Sequence, residues 1–334
     1  MNLDWTPQPD WRPRLLRLCQ RLKQRQPDIR AFLLAGDYAH GAQAADSVLT
    51  CIAFFPDWRP DYPLGNVQAL DGLPVALDWP TTAFLVEVDV ALQDDIRAHR
   101  LATAQPLLSY DPTLDGVLRD FRDRYFHPDE RAARVRRLCD RAALLLHDPH
   151  PDPVTTWQAF VHGIGPALCH LVDEPPARRR MLPRFRDAAR VRRLEPLAGQ
   201  VAAALRLPDR DPVLALAQAE AMRDLAEARI RATHADAISG LLPQWTSALE
   251  KGRRSVAVLQ HDGDPLAATF AAVVTGLCID QAAASVSAHF RTDTGRTDPG
   301  DTDPGYADRA AALYGPTDIA ALQHVLHAVR SQAE

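Results

Sequence analysis

Apolar positions change period several times in the first hundred residues, and each change marks an element. Leu15, Leu18, Cys19 and Leu22 recur at helical spacing, with Arg14, Arg17, Arg21 and Lys23 on the other faces. That pattern predicts an amphipathic helix, which Pro27 and Asp28 end. Ala31 to Ala35 is a short apolar run of strand length. A turn bounded by glycines, Gly36-Asp37-Tyr38-Ala39-His40-Gly41, separates it from a second expected strand at about Ser47 to Phe55. Pro56 to Pro63 reads as a loop and Leu73 to Asp78 as a further strand. From Ala83 to Leu92, the residues Phe84, Val86, Val88, Val90 and Leu92 alternate with their neighbours, the period of a half-buried strand.

After Asp94 helical spacing takes over. Val135, Leu138, Cys139, Ala142, Leu145 and Leu146 form one stripe, stopped by the Pro-rich His147 to Pro153. Trp157, Phe160, Val161, Ile164, Leu168 and Leu171 form another, with a kink expected at Pro166. Further helices are expected at about 183–205, 212–236, 240–251, 264–288 and 317–331. Residues 291–305 are a five-residue near-repeat of turn formers, expected to be a flexible surface loop. Its aspartates lack the closing Glu of a calcium loop. Strands first and helices after predict an α+β chain. A small-sheet domain over 1–120 precedes a larger all-helical domain over 121–334, with the break between Tyr110 and Pro128.

Composition narrows the classes. The 334 residues are 46% hydrophobic, enough for a sizeable core and a length that favours two domains. A net charge of −5 implies no bulk attraction to nucleic acid or membrane. The cysteines (Cys19, Cys51, Cys139, Cys169 and Cys278) are far apart, make no CxxC pair and sit in apolar stretches. They read as buried thiols in a reducing compartment, not as a zinc site. Met1 to Arg14 has no apolar signal core, and the apolar run Leu266 to Ile279 falls short of a bilayer span. A cytoplasmic protein without a membrane partner is expected.

Candidate chemistry begins at the glycine turn. A strand ending in Gly36, with a second glycine at Gly41, lets backbone N–H groups approach a phosphate. The stretch Leu34-Ala35-Gly36-Asp37-Tyr38-Ala39-His40-Gly41, followed by Asp46-Ser47-Val48-Leu49-Thr50-Cys51, resembles the signature of the nucleotidyltransferase superfamily. That superfamily includes the aminoglycoside and minimal nucleotidyltransferases. Gln105 to Pro112 resembles the family's link into its helical half, so the likeness covers about the first 120 residues. It implies a small mixed sheet, a nucleotide or other phosphorylated ligand at Gly36, Asp37, Tyr38 and Gly41, and Mg²⁺ if the protein is active.

Several positions depart from the family pattern. Its Ser after the first glycine is Asp37 here, and its two metal-binding aspartates are replaced by Val48 and Thr50. Neither replacement holds Mg²⁺ as a carboxylate would. Glu87 and Asp89 lie two apart on the polar face of the expected 83–92 strand, either as a remnant metal or substrate site or as a solvent-facing edge. Three readings follow. The first is a degenerate nucleotidyltransferase-fold protein acting by ligand binding or partner regulation. The second is an active nucleotidyltransferase using Asp46, Glu87 and Asp89. The third is a nucleic-acid-binding or toxin–antitoxin component using the eight arginines between Arg178 and Arg193. Two smaller features invite chemistry. His147, Asp148, His150 and Asp152 cluster in a Pro-rich turn that also reads as an extended linker. Arg141 and His147 have the Arg-x5-His spacing found in some HEPN-type ribonucleases, although a histidine at a helix end has a simpler reason.

Overall fold

The computed structural model describes residues 10–41, 43, 46–56, 67–70, 73–78, 80–147, 152–174, 176–233, 238–294 and 304–333. The chain forms two compact units, Met1–Arg131 and Ala132–Glu334. The division falls past the 110–128 interval where the sequence places the break.

The first unit is built on a short-strand sheet. α1 (Trp11–Arg25) buries Leu15, Leu18 and Cys19, as its stripe requires. β1 (Ala31–Ala35) is buried at every position. α2 (Asp37–His40) is a single turn between Gly36 and Gly41, and β2 (Leu49–Phe54) returns alongside β1. β3 (Val67–Leu70) and β4 (Leu73–Asp78) follow. Next come α3 (Ala83–Val86), α4 (Val88–Gln93), α5 (Asp95–Ala102), β5 (Gln105–Ser109) and α6 (Pro112–Phe126). The described strands form a five-stranded sheet in the order β3-β4-β2-β1-β5. It is mixed: β1 runs antiparallel to both neighbours, while β4 runs parallel to β2.

β1 is buried throughout because both faces of the sheet are covered. Phe32, Leu34, Leu49, Cys51, Val75 and Leu77 pack with Leu15, Leu18 and Cys19 of α1. Ala31, Leu33, Ile52 and Phe54 face Leu85, Leu92, Leu101, Leu114 and Phe121 on the opposite side.

The expected strand over Ala83–Leu92 is instead the helices α3 and α4. The same residues support two periods. Leu85, Val88, Ala91 and Leu92 lie at helical spacing and pack into the core, whereas Val90 is 58% exposed. β5, read from sequence only as a link, occupies the edge beside β1. It tolerates Pro106 there, where the register shifts between Phe32 and Leu33.

α7 (Pro128–Leu146) spans the division between the units. Beyond it every described element is helical. α8 (Pro153–Ala159) continues through a π-helical turn, Phe160–Ile164, into α9 (Gly165–Leu171). A 3₁₀ turn, Arg178–Arg180, precedes α10 (Met181–Val191). Then come α11 (Pro196–Ala204), α12 (Pro212–Thr233), α13 (Ile238–His261), α14 (Pro265–Thr294), α15 (Pro304–Tyr314) and α16 (Ile319–Arg330).

The expected 183–205 helix is split because Arg193 turns left-handed at φ 58° and Pro196 opens a new helix. The kink expected at Pro166 takes the form of the π turn just before it. Pro166 has no N–H to donate, and the Gly165 N–H reaches back to the Phe160 carbonyl.

Pro265–Ala284 is by length and composition long enough to cross a membrane, beyond the 266–279 run read from sequence, and 67% of it is buried inside the protein. It is apolar on all sides because it is the central helix of the second unit's core. The ends of the expected 291–305 loop are helical: α14 carries to Thr294 and Pro304 opens α15. Its middle, 295–303, lies outside the described residues, as do 57–63 of the first expected loop and 148–151 of the Pro-rich turn.

Candidate functional site

The glycine turn is set by backbone geometry. Gly36 has φ 71° and ψ −157°, a conformation that residues with a Cβ rarely adopt, and Gly41 closes the turn in the left-handed region. Gly36 also sits over β2: a Cβ on it would meet the Thr50 Oγ1 at 3.7 Å. The turn and position 50 are therefore neighbours.

The side chains of the turn point to structural work. The Ser47 hydroxyl donates to the Asp37 carboxylate at 2.6 Å, tying the start of the turn to the approach of β2. Tyr38 is buried against Trp11, ring centroids 5.1 Å apart and edge to face. It belongs to the α1-side core. Asp46 and Val48 are half-buried. Thr50 donates to the Val48 carbonyl at 3.4 Å.

The two later carboxylates do not stand on a strand. Glu87 is exposed between α3 and α4, and Asp89 lies in the first turn of α4. Asp89 is exposed and pairs with Arg124 of α6. Glu87 sits at the break between α3 and α4 and Asp89 is helical, so the two share no polar strand face. Among the described residues no group of three or more His, Cys, Asp or Glu side chains is placed to hold a metal ion.

A carboxylate that sequence reasoning passed over stands on the sheet itself. Asp78 ends β4 in register with Ile52, on the sheet face that Thr50 also shares. It forms an ion pair with Arg100 of α5 at 3.1 Å. The same helix brings His99, whose Nδ1 lies 2.9 Å from the Tyr125 hydroxyl and whose ring stacks on His40 of α2 at 6.3 Å. Asp95 is buried one turn before His99. The i, i+4 spacing of Asp95 and His99 was the available signal. The misread period of the preceding ten residues obscured it.

In the second unit most of the Arg-rich stretch is engaged within the protein. Arg184 pairs with Glu174 at 2.7 Å, Arg186 with Asp264, and Arg190 with Asp187 at 3.1 Å. Arg192 donates to the Leu171 carbonyl at 2.5 Å. Arg179 donates to Thr275 Oγ1 at 3.3 Å and to the Ala248 carbonyl at 3.1 Å. His147 is exposed past the end of α7, and Asp152 caps α8 by accepting from the Val154 N–H at 3.1 Å.

The cysteines are free. Burial lifts Cys139 to about 11 and Cys169 to about 12. Cys51 is raised well above its ordinary range, first by its contact with Cys19 at 3.8 Å and then by burial. Such thiols are poor nucleophiles.

No protein-family model matches the chain, and neither does any curated protein.

Proposed function

We propose that the first unit is a nucleotidyltransferase-like scaffold without metal-dependent nucleotidyl transfer, and that the chain acts by binding a ligand or a partner. The observation that carries this reading is the arrangement at the Gly36 turn. Thr50 lies against Gly36 and Val48 stands two residues before it, while the Asp37 carboxylate is held by Ser47 at 2.6 Å. In the superfamily the chain resembles, positions 48 and 50 would carry the carboxylates that hold the metal. A valine and a threonine offer Mg²⁺ no anionic oxygen. Without the metal, neither the triphosphate charge nor the attacking hydroxyl is managed. Asp37 adds a negative charge where an incoming triphosphate would approach. The β1–turn–β2 unit, with β4 parallel to β2, supports the scaffold half of the reading.

One observation favours a second reading, an active transferase. Asp78 stands on the same sheet face as Thr50 and supplies a carboxylate to that face. Its ion pair with Arg100 at 3.1 Å weighs against it as a metal ligand. Calorimetry of the full chain with each nucleoside triphosphate in Mg²⁺ or Mn²⁺ separates the two. Binding without metal dependence, or no binding, is expected. Metal-dependent binding lost in Asp78→Asn would establish the second reading in place of the first.

A further inference from the structure

Positive charge is concentrated on α1. Six of its fifteen residues are basic and none is acidic, in a protein whose net charge is −5. The helix turns its apolar stripe, Leu15, Leu18 and Cys19, into the core beside the sheet, which leaves the opposite face to solvent. Arg17, Arg21 and Arg25 recur every four residues on that face and are exposed, with Gln20 and Gln24 exposed beside them. Successive members of the arginine row are spaced by about 6 Å along the helix axis.

The helix itself does not call for this row. Like charges four residues apart repel. The helix dipole accounts for Arg25 in the last turn, but not for Arg17 in the middle, nor for Arg12, exposed in the first turn at the disfavoured end. In the second unit, exposed arginines meet an acid about one turn away. Arg190 pairs with Asp187 at 3.1 Å, Arg206 with Asp209 at 2.8 Å and Arg231 with Glu227 at 2.7 Å. α1 holds no such acid. Three of its cations are engaged within the protein: Arg14 with Asp10 at 3.8 Å, Lys23 by donating to the Ile29 carbonyl at 2.8 Å, and Arg21. Arg17, Gln20, Gln24 and Arg25 make no hydrogen bond or ion pair among the described residues. Two guanidinium groups based about 12 Å apart along the axis, and two amides beside them, therefore offer their donors to solvent on one face.

We infer that this face of α1 docks the phosphate backbone of a nucleic-acid double helix. Guanidinium forks match phosphate oxygens, and glutamine amides donate to the same oxygens without reading bases. A straight row of donors suits a regular duplex. The face has no exposed aromatic ring on which the bases of a single strand would stack, since Trp11 is turned onto Tyr38. An anionic membrane fits less well, because Leu15, Leu18 and Cys19 are already buried in the core and cannot enter a bilayer. The inference does not rest on whether the Gly36 turn binds a ligand.

The test is the fluorescence anisotropy of a labelled DNA duplex of about 20 base pairs, titrated with the full chain from about 25 to 200 mM salt. Saturable binding that weakens with salt is expected, log K falling against log salt with a slope of about −2 to −3. Arg17→Gln/Arg25→Gln changes an exposed face at little cost in helix propensity, so folding is not at stake. It should weaken binding about tenfold at the lowest salt and make the slope shallower by about 2. Arg178→Gln/Arg193→Gln removes the same charge at exposed positions of the second unit and should change binding less than about twofold. The inference is overturned by the absence of salt-dependent binding, or by equal losses in the two variants. A single strand, polyglutamate or phosphatidylserine vesicles binding as tightly as the duplex would overturn it too.

Discussion

The two units each turn on glycine, but for opposite reasons. Gly36 is needed for its backbone: φ 71° with ψ −157° is strained for other residues, although the nearest atom to an added Cβ is 3.7 Å away. Gly163 is needed for its missing side chain. It lies in the π turn with no positive φ to require glycine, yet an added Cβ would meet α7 at 2.6 Å. The first kind of glycine ends a strand and announces itself in a sequence. The second lies inside a helical pattern and does not. Conformational need is local, whereas close approach depends on a partner some twenty residues away in the chain.

Substitutions break or sharpen this contrast. Gly163→Ala should cost about 3 kcal/mol by overpacking against the α7 backbone. Gly199→Ala, in α11 with open space around it, should be neutral or stabilise by about 0.5–1 kcal/mol. Similar urea midpoints for the two variants would erase the distinction. Gly36→Ala should cost about 2 kcal/mol through backbone strain alone. Relief of that cost by trimming Thr50 to Ala would show that contact, not conformation, sets it.

His162 adds a pH test of the tight packing at the π turn. Its folded pKa, about 4, lies below the ordinary 6.5, so the unfolded chain takes up the proton first as pH falls. Its contribution is full above pH 6.5 and is lost between there and about 4, a change on the order of 2–3 kcal/mol. Urea unfolding at pH 7 and pH 4.5 measures this, and His162→Gln should flatten the slope. The smallest effect belongs to Asp89→Asn. It removes a surface ion pair and should cost no more than about 0.5 kcal/mol. A larger loss in a thermal scan would mean that Asp89 does more than its exposure indicates.

Where one period fits the residues, sequence and structure agree. Leu15, Leu18 and Cys19 can form one face only as a helix, and Ala31–Ala35 is too short and apolar for anything but a buried strand. The agreement fails at 83–92, where the same side chains satisfy both a period of two and a helical stripe. The sheet decides, because its edges are held by β3 and β5. That failure carried into the candidate site. Glu87 and Asp89 share a face only on a strand that is not there, while Asp78 meets Arg100 of α5, and His99 of α5 meets Tyr125 of α6. The π turn was legible only as a kink at Pro166, since its meaning lies in what packs against it.

Val48 and Thr50 stand where a metal-dependent transferase would need carboxylates. The most direct measurement is Mg²⁺-dependent ATP binding by calorimetry, on the full chain and on the double variant Val48→Asp/Thr50→Asp. If the first unit is a nucleotidyltransferase-like scaffold short of its metal ligands, the natural chain gives no Mg²⁺-dependent signal and the double variant gains one. Mg²⁺-dependent binding by the natural chain, left unchanged in the double variant, would contradict it.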